Sequence, residues 1–204
     1  MKITIKDIVV ARGEDIVIDQ LSFAVATSQA LIVRGANGSG KSTLLRALAG
    51  LLPLESGSML LDENDEFGEA GLPELCHYLG HENAMKASMS VGENLQFWQK
   101  FAGQPHLEVA DALEMVGLGG LETIPFAHLS TGQRRRASIA KLLVSWRPVW
   151  LLDEPTSGLD AQSEAQFVEL MQSHLDDDGI IIAATHLPLE IAMASFLDIG
   201  TVAA

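Results

Sequence analysis

The sequence predicts an α/β fold: a mostly parallel core sheet, an antiparallel β-segment in front of it, and an inserted helical lobe. Three observations carry this. Short apolar runs alternate with helix-spaced stretches, the pattern of parallel strands joined by helical crossovers and covered on both faces. Residues 3–25 instead form two alternating runs about a tight turn. The third observation is Gly35-Ala36-Asn37-Gly38-Ser39-Gly40-Lys41-Ser42-Thr43, set between the apolar run Ala30–Val33 and the helical run Leu44–Ala49. Strand, glycine-rich turn and helix together are the context of a phosphate-binding P-loop.

The chemistry needs these residue types. Glycines let the backbone take positive φ and approach a phosphate closely. Successive N–H groups then point at the anion, at the positive end of a helix dipole. Lys41 adds a charge for the β- and γ-phosphates, and the Ser42 hydroxyl is placed to ligate Mg²⁺. At average composition a chance match in a chain this long is on the order of 1%, so a nucleoside triphosphate is the expected ligand.

Taken in order, Ile3, Ile5, Ile8, Val9 and Val10 make a first strand, and Ile16 to Val25 a second, with Arg12-Gly13-Glu14-Asp15 as the hairpin turn. The P-loop strand and helix follow, and Gly50-Leu51-Leu52-Pro53 stops the helix. Residues 57–62 read as a short strand, 63–71 as an acidic surface loop, and 75–80 as another strand. Residues 91–101 and 107–118 are helix-spaced and define a helical lobe at about 85–128. Phe97, Trp98 and Phe101 there fit core packing at least as well as a partner surface. Residues 131–146 are helical. Val149–Leu152 is a buried strand, 162–175 a helix and 180–184 a buried strand. The tail, 187–204, reads as a short helix and a last strand. One domain over residues 1–204 accounts for the whole pattern.

The chain has 204 residues, is 48% hydrophobic and carries a net charge of −14. That excess of acids argues against a protein that wraps nucleic-acid backbone. Cys76 is the only cysteine, so no intrachain disulfide or cysteine-rich metal site is expected, and a reducing compartment is the easier reading. Residues 1–7 lack a signal-peptide core, and no run approaches 18 apolar residues, so no membrane span is expected.

A second phosphate-site signal is Val149-Trp150-Leu151-Leu152-Asp153-Glu154, a Walker B strand. It delivers Asp153 to the carboxyl edge of the sheet, where ligands bind in such folds. Asp153 there can hold Mg²⁺, and Glu154 can orient and deprotonate an attacking water. Leu129-Ser130-Thr131-Gly132-Gln133 precedes a helix. Ser130 suits an N-cap, and a Ser-x-Gly turn at a helix start also suits an anion.

With these residues in view, the chain resembles the ATP-binding cassette (ABC) ATPases. Its LSTGQ is similar to their LSGGQ signature and stands 23 residues before Asp153. Pro155-Thr156-Ser157-Gly158-Leu159-Asp160 resembles their D-loop. His186, 33 residues past Asp153 at a strand end, matches their switch histidine. The resemblance implies ATP with Mg²⁺, and catalysis by Glu154, His186 and Lys41. It also implies head-to-tail pairing with a second copy. The P-loop of one copy and Ser130, Gly132, Gln133 and Asp160 of the other would then enclose each nucleotide.

The chain departs from the family at three places. Arg12 stands where the family has an adenine-stacking aromatic; a guanidinium can also stack on a base. His81 stands where it has Gln, and neutral imidazole can still accept from a magnesium-bound water, which makes His81 a metal-side candidate. Thr131 replaces a signature glycine. These features, with the short chain and Trp146–Asp153, resemble the cassette of the bacterial cytochrome c maturation haem exporter. That branch implies a peripheral subunit on the cytoplasmic face of the inner membrane, working with integral membrane permease subunits and haem-handling proteins. His77 and His81 lie in a strand-to-loop region and are not read as haem ligands. The alternatives are a cassette for a lipid, metal or drug transporter, and a soluble cassette acting on nucleic acid or ribosomes. The soluble cassettes carry long insertions and basic surfaces, which this chain lacks. A cassette that has lost hydrolysis is countered by the intact Lys41, Ser42, Ser130, Asp153, Glu154 and His186.

Overall fold

The computed structural model describes residues 1–62, 70–186, 189, 191, 192 and 194–200. Most of the acidic loop expected at 63–71 lies outside them, as does much of the short helix expected in the tail. The described chain divides into two compact units. The first holds residues 1–80, 148–155 and 171–204, and the second residues 81–147 and 156–170.

The first unit contains both sheets. β1 (Lys2–Arg12) and β2 (Asp15–Ala26) form the hairpin, with Gly13 at φ 66° in its two-residue turn. The buried face of β1 switches from Ile3 and Ile5 to Ile8 and Val10, an odd-to-even slip that a regular strand cannot make. A bulge between Ile5 and Ile8 absorbs it, with Asp7 at φ 47°. β4 (Ser56–Leu61) pairs antiparallel with the other side of β1, giving the order β2-β1-β4.

The second sheet is parallel throughout, in the order β5-β6-β7-β3-β8. Its strands are β3 (Gln29–Arg34), β5 (Cys76–Leu79), β6 (Val149–Asp153), β7 (Ile180–Ala184) and β8 (Ala194–Asp198). Every residue of β6 and β7 is buried, which is why Val149–Leu152 and Ile180–Ala184 read as unbroken apolar runs rather than alternating ones. Parallel pairing sets all five carboxyl ends along one edge. In register there, Val33 pairs with Ala184, and Ala184 with Asp153.

α1 (Lys41–Leu48) follows the P-loop and buries Leu44, Leu45 and Leu48 in the same cluster as Ile3, Val33 and Leu151. Truncating one of these leucines to Ala costs about 2–5 kcal/mol. Leu75 falls in a single 3₁₀ turn, Leu72–Leu75, started by Pro73, so β5 is shorter than the sequence predicts.

The second unit is helical: α2 (Val91–Ala102), α3 (Val109–Met115), α4 (Thr131–Leu143) and the first residues of α5 (Ala161–Asp176). α2 opens with a capping box between Ser90 and Glu93. α3 ends before Gly117, which sits at φ 67°. α4 stops at Leu143, short of the expected residue 146. Ser145 instead bridges to Pro105, and the Trp146 N–H donates to the Gln104 carbonyl. Tertiary pairing takes the backbone groups that a further turn would need.

Candidate functional site

The phosphate-binding loop, 35–40, leaves β3 and enters α1. Gly40 sits at φ 100°, and a Cβ there would lie 2.8 Å from Val17 and 2.9 Å from Ile18, so the loop needs glycine twice over. A Cβ on Gly35 would fall 2.4 Å from Ser39 Oγ. The Lys41 ammonium is buried and donates to the carbonyls of Gly35 and Ala36, at 2.8 and 3.0 Å. Asn37 and Gly38 form the exposed crest, and Thr43 is buried in the first turn of α1.

Ser39 is 2% exposed, and its hydroxyl has no hydrogen-bond partner among the described residues. A buried orphan donor inside a glycine cradle fits a phosphate oxygen. Ser42 Oγ donates to Asp153 Oδ1 at 2.9 Å. A hydroxyl beside a carboxylate is an all-oxygen donor pair, and it suits a hard cation such as Mg²⁺ that keeps most of its shell from water and phosphate.

Asp153 ends β6 and Glu154 follows it. Glu154 holds φ 47°, a costly backbone for a non-glycine residue, and its N–H donates to the Ala184 carbonyl at 2.8 Å. That bond ties the residue after β6 to the end of β7, two residues before His186. His186 Nδ1 lies 2.9 Å from Glu154 Oε2. With Glu154 ionised, Nδ1 donates, which leaves Nε2 of a neutral ring as the acceptor. The His186 side chain is 59% exposed and that of Glu154 25%, so both can reach a ligand at this edge.

Two residues not expected from the sequence join the group. Tyr78 of β5 donates to Asp153 Oδ2 at 3.4 Å, and Arg46 Nε of α1 donates to Tyr78 at 3.4 Å. Burial pushes the phenol above its ordinary value, and the Arg46 hydrogen bond opposes it. A tyrosine in a strand reads as packing; only its place one strand from the Walker B carboxylate could have signalled more.

Arg12 closes β1 opposite Asp15 and is exposed. His81, Ser130, Gly132, Gln133 and Asp160 belong to the second unit. Ser130 caps α4: its Oγ accepts from the Gln133 N–H at 3.2 Å, and Gln133 Oε1 accepts from the Ser130 N–H at 2.9 Å. The Ser130 hydroxyl hydrogen remains available to an anion. A Cβ on Gly132 would meet the Gly158 carbonyl at 3.7 Å, an ordinary contact. Asp160 accepts from the Ser163 N–H at 2.8 Å, the chief cause of its carboxyl lying below the usual range. His81 is exposed.

The second unit also carries a groove of 580 Å³, lined by Met85, Lys86, Met89, Phe97, Trp98 and Phe126 among others. Phe97 is 46% and Phe101 72% exposed, with the two rings stacked 5.9 Å apart. Core packing therefore does not account for either residue. Trp98 is held by its Nε1 donating to the Ala84 carbonyl at 2.9 Å, with the Lys141 ammonium 4.7 Å from its ring. No described helix is long and apolar enough to cross a membrane.

A P-loop strand, a Walker B strand and a strand followed two residues on by His186 share one carboxyl edge, the arrangement of a P-loop ATPase site. The chain belongs to the ABC transporter family, whose profile matches residues 18–157. It is 54% identical over 189 residues to the cytochrome c biogenesis ATP-binding export protein CcmA of Brucella abortus, covering 93% of this chain and 87% of that one. It is 52% identical to CcmA of Chelativorans sp. over 98% of both chains. CcmA of Mesorhizobium japonicum is 58% identical over 88% of this chain and 89% of its own. Among solved structures, an ABC transporter ATP-binding protein from Pyrococcus furiosus superposes with a TM-score of 0.82 at 22% identity, over 98% of each chain. That last likeness speaks to the fold alone.

Proposed function

We propose that this chain is the ATP-hydrolysing cassette of the bacterial haem exporter of cytochrome c maturation. Its turnover would drive haem delivery to the periplasm and release of the haem-loaded chaperone. The observation that carries the catalytic part is the Glu154–His186 pair, held at the carboxyl ends of β6 and β7 in the same unit as the P-loop. The cytochrome c part is supported by the CcmA relatives, which match almost end to end.

In this reading, residues 35–43 hold the ATP phosphates. Lys41 exchanges its two loop carbonyls for the β- and γ-phosphates, and Ser39 Oγ gains a phosphate oxygen. Arg12 lies against the adenine. Ser42 and Asp153 would hold Mg²⁺, which would supply charge to offset the phosphates, and His81 is the proposed further residue on the metal side. Glu154 takes the proton of the attacking water, and His186 orients Glu154. Ser130, Gly132, Gln133 and Asp160 serve the nucleotide of a second copy, paired head to tail. Each half-site is incomplete alone, so ATP joins the dimer and hydrolysis opens it.

The exposed aromatics of α2 and the groove beside them receive an integral membrane permease resembling CcmB. The subunit then sits peripherally on the cytoplasmic face of the inner membrane. No nucleic-acid partner is proposed, given the net charge of −14.

The test is purification of this subunit from membranes in mild detergent, with its partners identified by mass spectrometry. Recovery of a CcmB-like permease and haem-handling proteins is expected. Recovery of other permeases alone overturns the haem assignment, and recovery of no membrane protein overturns the transporter assignment.

A further inference from the structure

Both oxygens of Asp153 have partners on rigid elements. Oδ1 accepts from Ser42 of α1 at 2.9 Å, and Oδ2 from Tyr78 of the neighbouring strand at 3.4 Å. Tyr78 itself accepts from Arg46, one turn further along α1, at 3.4 Å. The line Arg46 to Tyr78 to Asp153 thus starts and ends on the two elements that carry the phosphate site.

A second observation concerns Gly80. A Cβ there would lie 2.8 Å from Tyr78 Cε1 and 3.0 Å from both Cζ and Oη. Gly80 is not among the residues with positive φ, so the backbone conformation does not call for glycine. The close approach of the phenol does. The outer end of the Tyr78 ring lies over a residue with no side chain, and its hydroxyl is thereby directed at the carboxylate. Were Tyr78 merely filling space, the ring alone would suffice, and neither the Arg46 donor nor the aim at Asp153 would be needed.

The geometry points to Tyr78 as a positioning residue for the Asp153 carboxylate, with Arg46 and Gly80 setting its own orientation. This rests on the reading of Asp153 as the metal-side carboxylate. A carboxylate held at one oxygen by a phenol keeps its plane fixed and presents the other oxygen beside Ser42. Partners of this kind tune metal affinity without touching the metal; their loss costs about 10–100-fold for well-made bonds. For a bond as long as 3.4 Å, about threefold to tenfold is expected.

The experiment uses the full chain and measures ATP affinity and turnover while Mg²⁺ is titrated, and ATP affinity again in EDTA. Tyr78→Phe is expected to raise the half-saturating Mg²⁺ concentration about threefold to tenfold. Its metal-free ATP affinity and melting temperature stay at the parent's values. Gly80→Ala, which keeps the hydroxyl but displaces the ring, is expected to give the same shift, and it carries the test if Tyr78→Phe does not fold. In an Asp153→Asn background, Tyr78→Phe adds nothing further. A folded Tyr78→Phe with the parent's Mg²⁺ requirement overturns the proposal, as do additive shifts in the double variant. If Asp153→Asn itself leaves the Mg²⁺ requirement unchanged, it is the reading of Asp153 that has failed.

Discussion

Glu154 and His186 are 32 residues apart in sequence and 2.9 Å apart in space, joined Oε2 to Nδ1. The contact is set by backbone as much as by side chain. Asp153 and Ala184 are paired in register, and the Glu154 N–H donates to the Ala184 carbonyl. Glu154 itself takes a positive φ, and its side chain meets His186 just past the end of β7. His186→Ala is expected to lower turnover by at least about tenfold, less than the roughly 10²–10⁴-fold contributed by a group that itself transfers the proton, with ATP affinity unchanged. Steady-state kinetics beside equilibrium nucleotide binding measures both. An equal loss of binding and turnover contradicts an orienting role.

Ser130 has a capping role and a proposed anion role, which two substitutions separate. Ser130→Ala removes the α4 cap and is expected to cost about 1 kcal/mol of stability. Ser130→Asp keeps a capping oxygen, so stability stays within about 0.5 kcal/mol of the parent. It also places a negative charge where a phosphate is proposed to sit, and turnover should fall at least about tenfold. Denaturant melts with ATPase assays decide it; an active Ser130→Asp variant means Ser130 is a cap and no more.

Lys141 gives a pH signature. Burial first, and the Arg135 guanidinium second, push its ammonium down to about 8 from an ordinary 10.5. The folded value lies below the unfolded one, so between about 8 and 10.5 the unfolded chain keeps a proton that the folded chain has released. Stability attributable to Lys141 therefore rises with pH across that window, by up to roughly 3 kcal/mol. Lys141→Met removes the titration, so the melting temperature of the parent relative to this variant should climb between pH 8 and pH 10. A constant difference contradicts the burial account.

Phe101 should matter to assembly and not to folding. It is 72% exposed, and Phe101→Glu is expected to change stability by no more than about 0.5 kcal/mol. The same change puts a charge into the proposed permease contact and should sharply reduce recovery of the subunit with membranes. Unchanged recovery moves the permease contact elsewhere.

The site-bearing strands can be read from the sequence because burial on both faces writes them as the unbroken runs Val149–Leu152 and Ile180–Ala184. The P-loop is equally readable, since few sequences satisfy its close backbone approaches at Gly35 and Gly40. What depends on distant partners is not readable. Residues 57–62 read as a strand, but nothing local says that they pair with β1. The bulge at Asp7 shows only as a slip in the apolar pattern. The end of α4 at Leu143 is decided by the Gln104–Trp146 pairing. Tyr78 and Arg46 look like ordinary strand and helix residues until the fold brings them to Asp153.

The central claim is that this chain is a hydrolysing cassette joined in pairs by ATP, with Glu154 as the base. Glu154→Gln keeps the shape of the side chain and removes its basicity. Light scattering of that variant, purified with ATP and Mg²⁺, tests the claim most directly. A stable dimer retaining ATP, without measurable turnover, is the predicted result. A monomer, or a variant that hydrolyses ATP at the parent's rate, contradicts it.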